Sequence, residues 1–251
     1  MNSSSVLGAI AIILIASAAQ GTEAQAFEAS FKSGGKVIHC DEYRVQNPTK
    51  APAVIVLHGS GGLSSHNFPF AELAKRLSLQ GFLILIPHYL DATDGSPANA
   101  EIHYEKWIKV TEDSLHYLRA RSDVDKTRIA ILGFSLGASI ALAAASQGLP
   151  VAAIVECSGS LPDDYFHRFR AMPPLLILHN AADPVMPASN AEQLARLCKM
   201  RHLSCQVHIG AGSEHGLPAP QDQALREIQE FLAATGPAPP PPVHFRSAPK
   251  Y

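Results

Sequence analysis

Two periodicities alternate along the chain. Residues 54–57 (VIVL) form an uninterrupted apolar run, the pattern of a strand buried on both faces. Residues 68–79 then carry apolar side chains at helical spacing and stop near Gly81. A second continuous run, 82–86, ends at Pro87, and 102–118 returns to an amphipathic helix with Ile102, Ile108, Leu115 and Leu118 as inner positions. The cycle goes on with a strand at 129–132, an Ala-rich helix at 135–145, and strands at 151–155 and 175–178. A helix at 190–197, a strand at 205–209 and a helix at 224–232 complete it. A weaker pair, 37–40 and 42–45, reads as an antiparallel edge. This alternation predicts an α/β fold with a mostly parallel sheet of about eight strands and helices on both faces.

The two ends break the pattern. Residues 6–19 (VLGAIAIILIASAA) are nearly all apolar, and Ala24-Gln25-Ala26 supplies a small-x-small cleavage site before Phe27. Residues 1–26 therefore read as a signal peptide of an exported protein, periplasmic or secreted, with an uncleaved anchor as the alternative. The apolar run falls short of the roughly 20 residues that span a bilayer, so no stable membrane span is expected in the mature chain. From 236 to 251 the proline density excludes helix and central strand, leaving an extended tail. The folded domain is thus expected over 27–235.

Composition narrows the function. Of 251 residues, 47% are hydrophobic and 17% charged, with a formal net charge of -2 and no run of Lys or Arg. A nucleic-acid partner has no electrostatic support. Four cysteines, Cys40, Cys157, Cys198 and Cys205, fit an oxidising compartment. Cys198 near a helix end and Cys205 at a strand start are joined by a short turn and are expected to pair; the alternative is two separate thiols. No cluster suggests a metal site, and no cofactor is implied.

Candidate chemistry begins at Gly133-Phe134-Ser135-Leu136-Gly137, a G-x-S-x-G between a strand and a small-residue helix. A sharp turn there exposes the serine hydroxyl, and the flanking glycines leave room for neighbouring strand and helix. A serine hydroxyl needs a base. His215, in the Gly-rich loop after the last strand, takes that part, with His208 inside the strand as the lesser candidate. Asp183, in the loop after 175–178, is placed to orient His215; Glu156, one strand earlier, is its rival. The oxyanion donors expected are the backbone N–H of Leu136 and that of Ser60 in His58-Gly59-Ser60-Gly61-Gly62, with Gly61 as the alternative.

With these pieces in order, the chain resembles the dienelactone hydrolase-like branch of the α/β-hydrolase superfamily over about residues 53–232. The segments VIVLHGSGG, PHY, RIAILGFSLGASIAL, LHNAADPVMP and GAGSEHG carry the resemblance. It implies a Ser135, Asp183, His215 triad with oxyanion donors at Ser60 and Leu136. Two departures matter. Dienelactone hydrolases resemble cysteine enzymes at the nucleophile, and their arginines hold a substrate carboxylate, whereas residues 88–105 here contain no Arg or Lys. An esterase of related build, acting on a small-molecule ester or acyl substrate, is the expectation. His58, Gly59, Gly61, Tyr89, Tyr165 and Phe166 are the candidate pocket residues. An acyltransferase or peptidase on the same triad, or an exported non-catalytic binding protein, are the competing readings.

Overall fold

The apolar runs become the centre of one sheet, because strands that bury both faces need helices above and below. The structure is a computed structural model that describes residues 23–45, 50–64 and 68–237. In chain order it comprises β1 (Gln25–Ser33), β2 (Lys36–Arg44), β3 (Ala51–Leu57), α1 (Phe70–Leu79), β4 (Leu83–Pro87) and α2 (Ala100–Ala120). There follow β5 (Val124–Phe134), α3 (Leu136–Ser146), β6 (Ile154–Cys157), β7 (Leu175–Asn180), α4 (Ser189–Met200), β8 (Cys205–Gly210) and α5 (Gln221–Ala234). Short 3-10 turns occur at Tyr89–Thr93 and Asp163–Arg168.

The described strands form an eight-stranded sheet in the order β1-β2-β4-β3-β5-β6-β7-β8. From β4 to β8 every pairing is parallel, while β1 and β2 are antiparallel additions at one edge. This is the expected α/β fold. Alternate residues of the strands feed two cores. Ile55, Leu85, Ile131, Ile154 and Ile177 pack on the side of Trp107, Ile140 and Leu194 from α2, α3 and α4. Val54, Ile84, Leu132, Val155 and Leu176 pack on the side of Leu73 and Leu77 from α1 and Ile228 and Leu232 from α5. At the far edge, β8 pairs with β7 alone among the described strands, and its Val207 and Ile209 are exposed.

Three expectations are corrected. Residues 37–40 and 42–45 are not two strands of an edge pair. They are one strand, β2, whose antiparallel partner is β1, with Ala29 opposite Cys40. Asp41, which reads as a break, only marks an outward position. Its neighbour Glu42 turns inward and is buried against Arg121 and Arg44. Ile102 is not an inner position of α2 but is 68% exposed, whereas Ile108, Leu115 and Leu118 are buried. The strand read at 151–155 runs instead over Ile154–Cys157.

Cys198 and Cys205 form a disulfide, and Cys40 and Cys157 are buried free thiols. The apolar run at 6–19 and most of the proline-rich tail lie outside the described residues. Among the described residues no helix is long and apolar enough to cross a membrane.

Candidate active site

Parallel strands bring their C-terminal ends to one side of the sheet, and in open α/β folds ligands bind there. Ser135 is the single residue between β5 and α3. Its backbone sits at φ 54° and ψ -119°, a conformation L residues rarely adopt. Hydrogen bonds hold it: Ser135 N–H donates to the Cys157 carbonyl (2.9 Å), and the Ser135 carbonyl accepts from Ala138 (3.0 Å) and Ser139 (3.1 Å). The glycines on either side are required by space. A Cβ on Gly133 would lie 2.5 Å from Ala138 Cα, and one on Gly137 would lie 2.2 Å from the Leu57 carbonyl oxygen.

Two further loops converge on this turn. His215 Nε2 lies 2.8 Å from Ser135 Oγ, and His215 Nδ1 lies 2.8 Å from Asp183 Oδ2. A carboxylate can only accept, so Nδ1 carries the ring proton and Nε2 is left to accept from the serine hydroxyl. The Phe134 ring packs against the imidazole at 5.0 Å between centroids. Asp183 is sealed from solvent, and its Oδ1 accepts from the N–H groups of Val185 (2.8 Å) and Met186 (2.9 Å). Burial pushes its pKa up. The bonds from Met186, His215 and Val185 outweigh this and hold the carboxyl below its ordinary value, so it is ionised at neutral pH. Behind it, His179 is buried and donates from Nε2 to the Met186 carbonyl (2.8 Å), bracing the loop that carries Asp183.

The loop after β3 lies beside Ser135. Gly62 N–H donates to the Gly59 carbonyl, closing a tight turn with Ser60 and Gly61 exposed at its tip. Leu136 opens α3, and the first N–H groups of a helix have no acceptor within it. His58 is buried beneath the turn and stacks on Tyr89 at 4.3 Å, and the Tyr89 hydroxyl donates to the His58 carbonyl. Burial lowers the His58 pKa to about 4 against the opposing bond to the Gly59 carbonyl, so this imidazole is neutral. An imidazole aligned between a hydroxyl and a carboxylate can take a proton from the one while the other stabilises the resulting charge.

Not every candidate meets at this point. Tyr89 is fully buried and supports the His58 turn from below rather than facing an open cleft. Tyr165 is buried with its hydroxyl on Glu105 (2.8 Å), and Phe166 beside it is partly exposed. Glu156 does not approach His215. It is fully buried and accepts from Gly159 N–H. His208 faces α5 and pairs with Glu227 at 2.7 Å. Among the described residues no group of His, Cys, Asp and Glu is arranged to hold a metal ion.

The family model described as the dienelactone hydrolase family matches residues 42–235. The chain belongs to the dienelactone hydrolase family. Among curated proteins, YfhR of Salmonella typhimurium strain LT2, named as uncharacterized, is 25% identical over 224 residues, covering 74% of this chain and 75% of its own. A dienelactone hydrolase structure from Anabaena variabilis superposes with a TM-score of 0.65 at 18% identity, covering 83% of this chain and 95% of its own. A thermophilic esterase from Thermogutta terrifontis, solved with butyrate bound, gives 0.65 at 15% identity, covering 83% and 93%. At these identities the structures speak for the fold alone. Family and fold together make the chain a hydrolase of the dienelactone hydrolase type.

Sequence reasoning missed the polar groups that hold these loops together. His179 and Asn180 end an otherwise apolar strand, and Ser158 follows β6 at φ 52° with its hydroxyl on the Gly216 carbonyl (3.0 Å). The available signal was a polar pair closing the run LLIL at the end of the sheet where the other candidates lie.

Proposed function

We propose that the chain is a serine hydrolase that cleaves a carboxylic ester or related acyl bond of a small molecule. Ser135 Oγ attacks the carbonyl carbon as His215 Nε2 takes its proton. The N–H groups of Leu136 and Ser60 receive the developing oxyanion, and Asp183 stabilises the imidazolium. His215 returns the proton to the leaving oxygen, and water then cleaves the acyl-enzyme by the same route. The observation that carries this reading is the unbroken line of 2.8 Å contacts from Ser135 Oγ through His215 to Asp183 Oδ2.

Substrates without a carboxylate are favoured, because residues 88–105 supply no Arg or Lys to hold one. Export with cleavage before Phe27 is proposed on the apolar run at 6–19, and the Cys198–Cys205 disulfide supports an oxidising compartment.

The test is turnover of p-nitrophenyl acetate and labelling by a fluorophosphonate probe, for the wild type and Ser135→Ala. Wild-type turnover and labelling are expected, with turnover in the variant down by at least about 10⁴-fold and no label. A wild type that neither labels nor turns over would sink the reading.

A further inference from the structure

The loop that carries His215 has one apolar anchor, Leu217, which is 1% exposed and packs into the core beside α5. Ala211, Ser213 and Glu214 before it are exposed, as are Ala219 and Pro220 after it. The loop leaves β8, which is paired on one side only among the described strands. Leu217 pins the loop on one side of His215 only, so the rest of its placement against Asp183 depends on hydrogen bonds, and one side chain supplies three of them.

Asn180 is the last residue of β7 and is 1% exposed. Its Nδ2 donates to the carbonyls of Glu214 (2.9 Å) and Leu217 (3.1 Å), and its Oδ1 accepts from Ala219 N–H (3.1 Å). The grip falls on both sides of His215. The main-chain carbonyl of the same residue accepts from Asp183 N–H (3.3 Å). One residue thus holds the acid loop by its backbone and the base loop by its side chain. The partners fix the amide's orientation, since a flipped amide would set its oxygen against two carbonyls and its NH₂ against an N–H.

We propose that Asn180 is the positioning residue that fixes His215 in register with Asp183 and Ser135; this rests on the reaction assigned above to those three residues. Only a primary amide offers two donors and an acceptor at this reach. Aspartate accepts but cannot donate to the two carbonyls while ionised, and alanine does neither. A misplacement of about 1 Å in a reacting group costs on the order of 100-fold in rate, so loosening this loop lowers kcat rather than substrate binding.

The space around the amide supplies an independent handle. A Cβ on Gly212 would lie 2.3 Å from Asn180 Oδ1 and 2.8 Å from Asn180 Cγ. Gly212→Ala therefore displaces the amide while leaving it in the chain. In an Asn180→Ala background those two atoms are gone, and the added methyl meets much less.

The experiment measures kcat and KM on p-nitrophenyl acetate for wild type, Asn180→Ala, Asn180→Asp, Gly212→Ala and the Asn180→Ala/Gly212→Ala pair. The low-field proton resonance of the His215 Nδ1–H is recorded alongside. Each single variant is expected to lose about 10- to 100-fold in kcat with KM within about twofold, and the low-field resonance should broaden or vanish. The double variant should be no worse than about twofold below Asn180→Ala, a coupling that distant, independent sites do not show. Wild-type turnover with folded Asn180 variants that keep kcat and the low-field resonance overturns the positioning role; so does a double variant whose losses simply multiply. If Asn180→Ala does not fold, Gly212→Ala carries the same test with the native amide present. A wild type with no Ser135-dependent turnover instead removes the underlying reaction.

Discussion

Ser135 sits in a backbone conformation that costs on the order of 1–3 kcal/mol, and the neighbours that impose it are main-chain atoms, which do not yield as side chains do. A methyl at Gly137 would overlap the Leu57 carbonyl oxygen at 2.2 Å, and one at Gly133 would overlap Ala138. Gly137→Ala is therefore expected to destabilise the protein by about 1–3 kcal/mol or more and to reduce Ser135 labelling in whatever remains folded. Urea unfolding beside probe labelling checks this, and unchanged stability would show that helix and strand can separate at no cost. Glu156 offers a second residue-scale prediction. Burial raises its carboxyl from 4.5 to about 8, opposed by the Gly159 N–H. Between those pH values the unfolded chain has released this proton and the folded chain has not, so stability falls as pH rises and levels off above about 8. Glu156→Gln removes this dependence, so its Tm advantage over wild type should be larger at pH 8 than at pH 5. An equal difference at both would refute the assignment. Ser135, Asp183 and His215 were legible as candidates in the sequence because each follows a different predicted strand at the same end of the sheet. Asn180 and Ser158 were not, because they work through backbone groups of another loop, and no spacing records those meetings; Glu156, read as a rival acid, instead bonds the Gly159 N–H of its own loop.

Elements were legible where burial on both faces forces a continuous apolar run, as in β3, β4 and β5. At the antiparallel edge that constraint lapses. In β1 only alternate residues such as Ala29 and Phe31 pack against the core, so QAFEASFKS gives a weak signal beside VIVL. The misplaced Ile102 has a geometric cause. It precedes Ile108 by six positions, about 240° around a helix of 3.6 residues per turn, whereas Ile108 and Leu115 nearly coincide. At the opposite edge the Cys198–Cys205 bridge joins the end of α4 to the start of β8, and Arg201 in the turn between donates to the carbonyls of Phe169 and Phe166. Replacing both cysteines by serine is expected to cost about 2–3 kcal/mol on the chain-entropy estimate for so short a loop. Thermal unfolding of oxidised, reduced and double-serine protein measures it, and three coincident transitions would count against the bridge as a stabilising link.

At the scale of the whole molecule, the three residues of the proposed reaction are divided between the middle of the sheet and its rim. Ser135 rises from β5, which has strands on both sides, while His215 hangs from β8 at the edge. Resistance to local opening varies through a structure, and rim strands with solvent on one side open more readily than central ones. The single tryptophan, Trp107, is buried among Tyr89 and Tyr104 in the core over α2 and reports on that interior. In a urea titration, hydrolysis should therefore fade at a lower denaturant concentration than the Trp107 emission shift, leaving an interval in which the protein is intact by fluorescence and inert by assay.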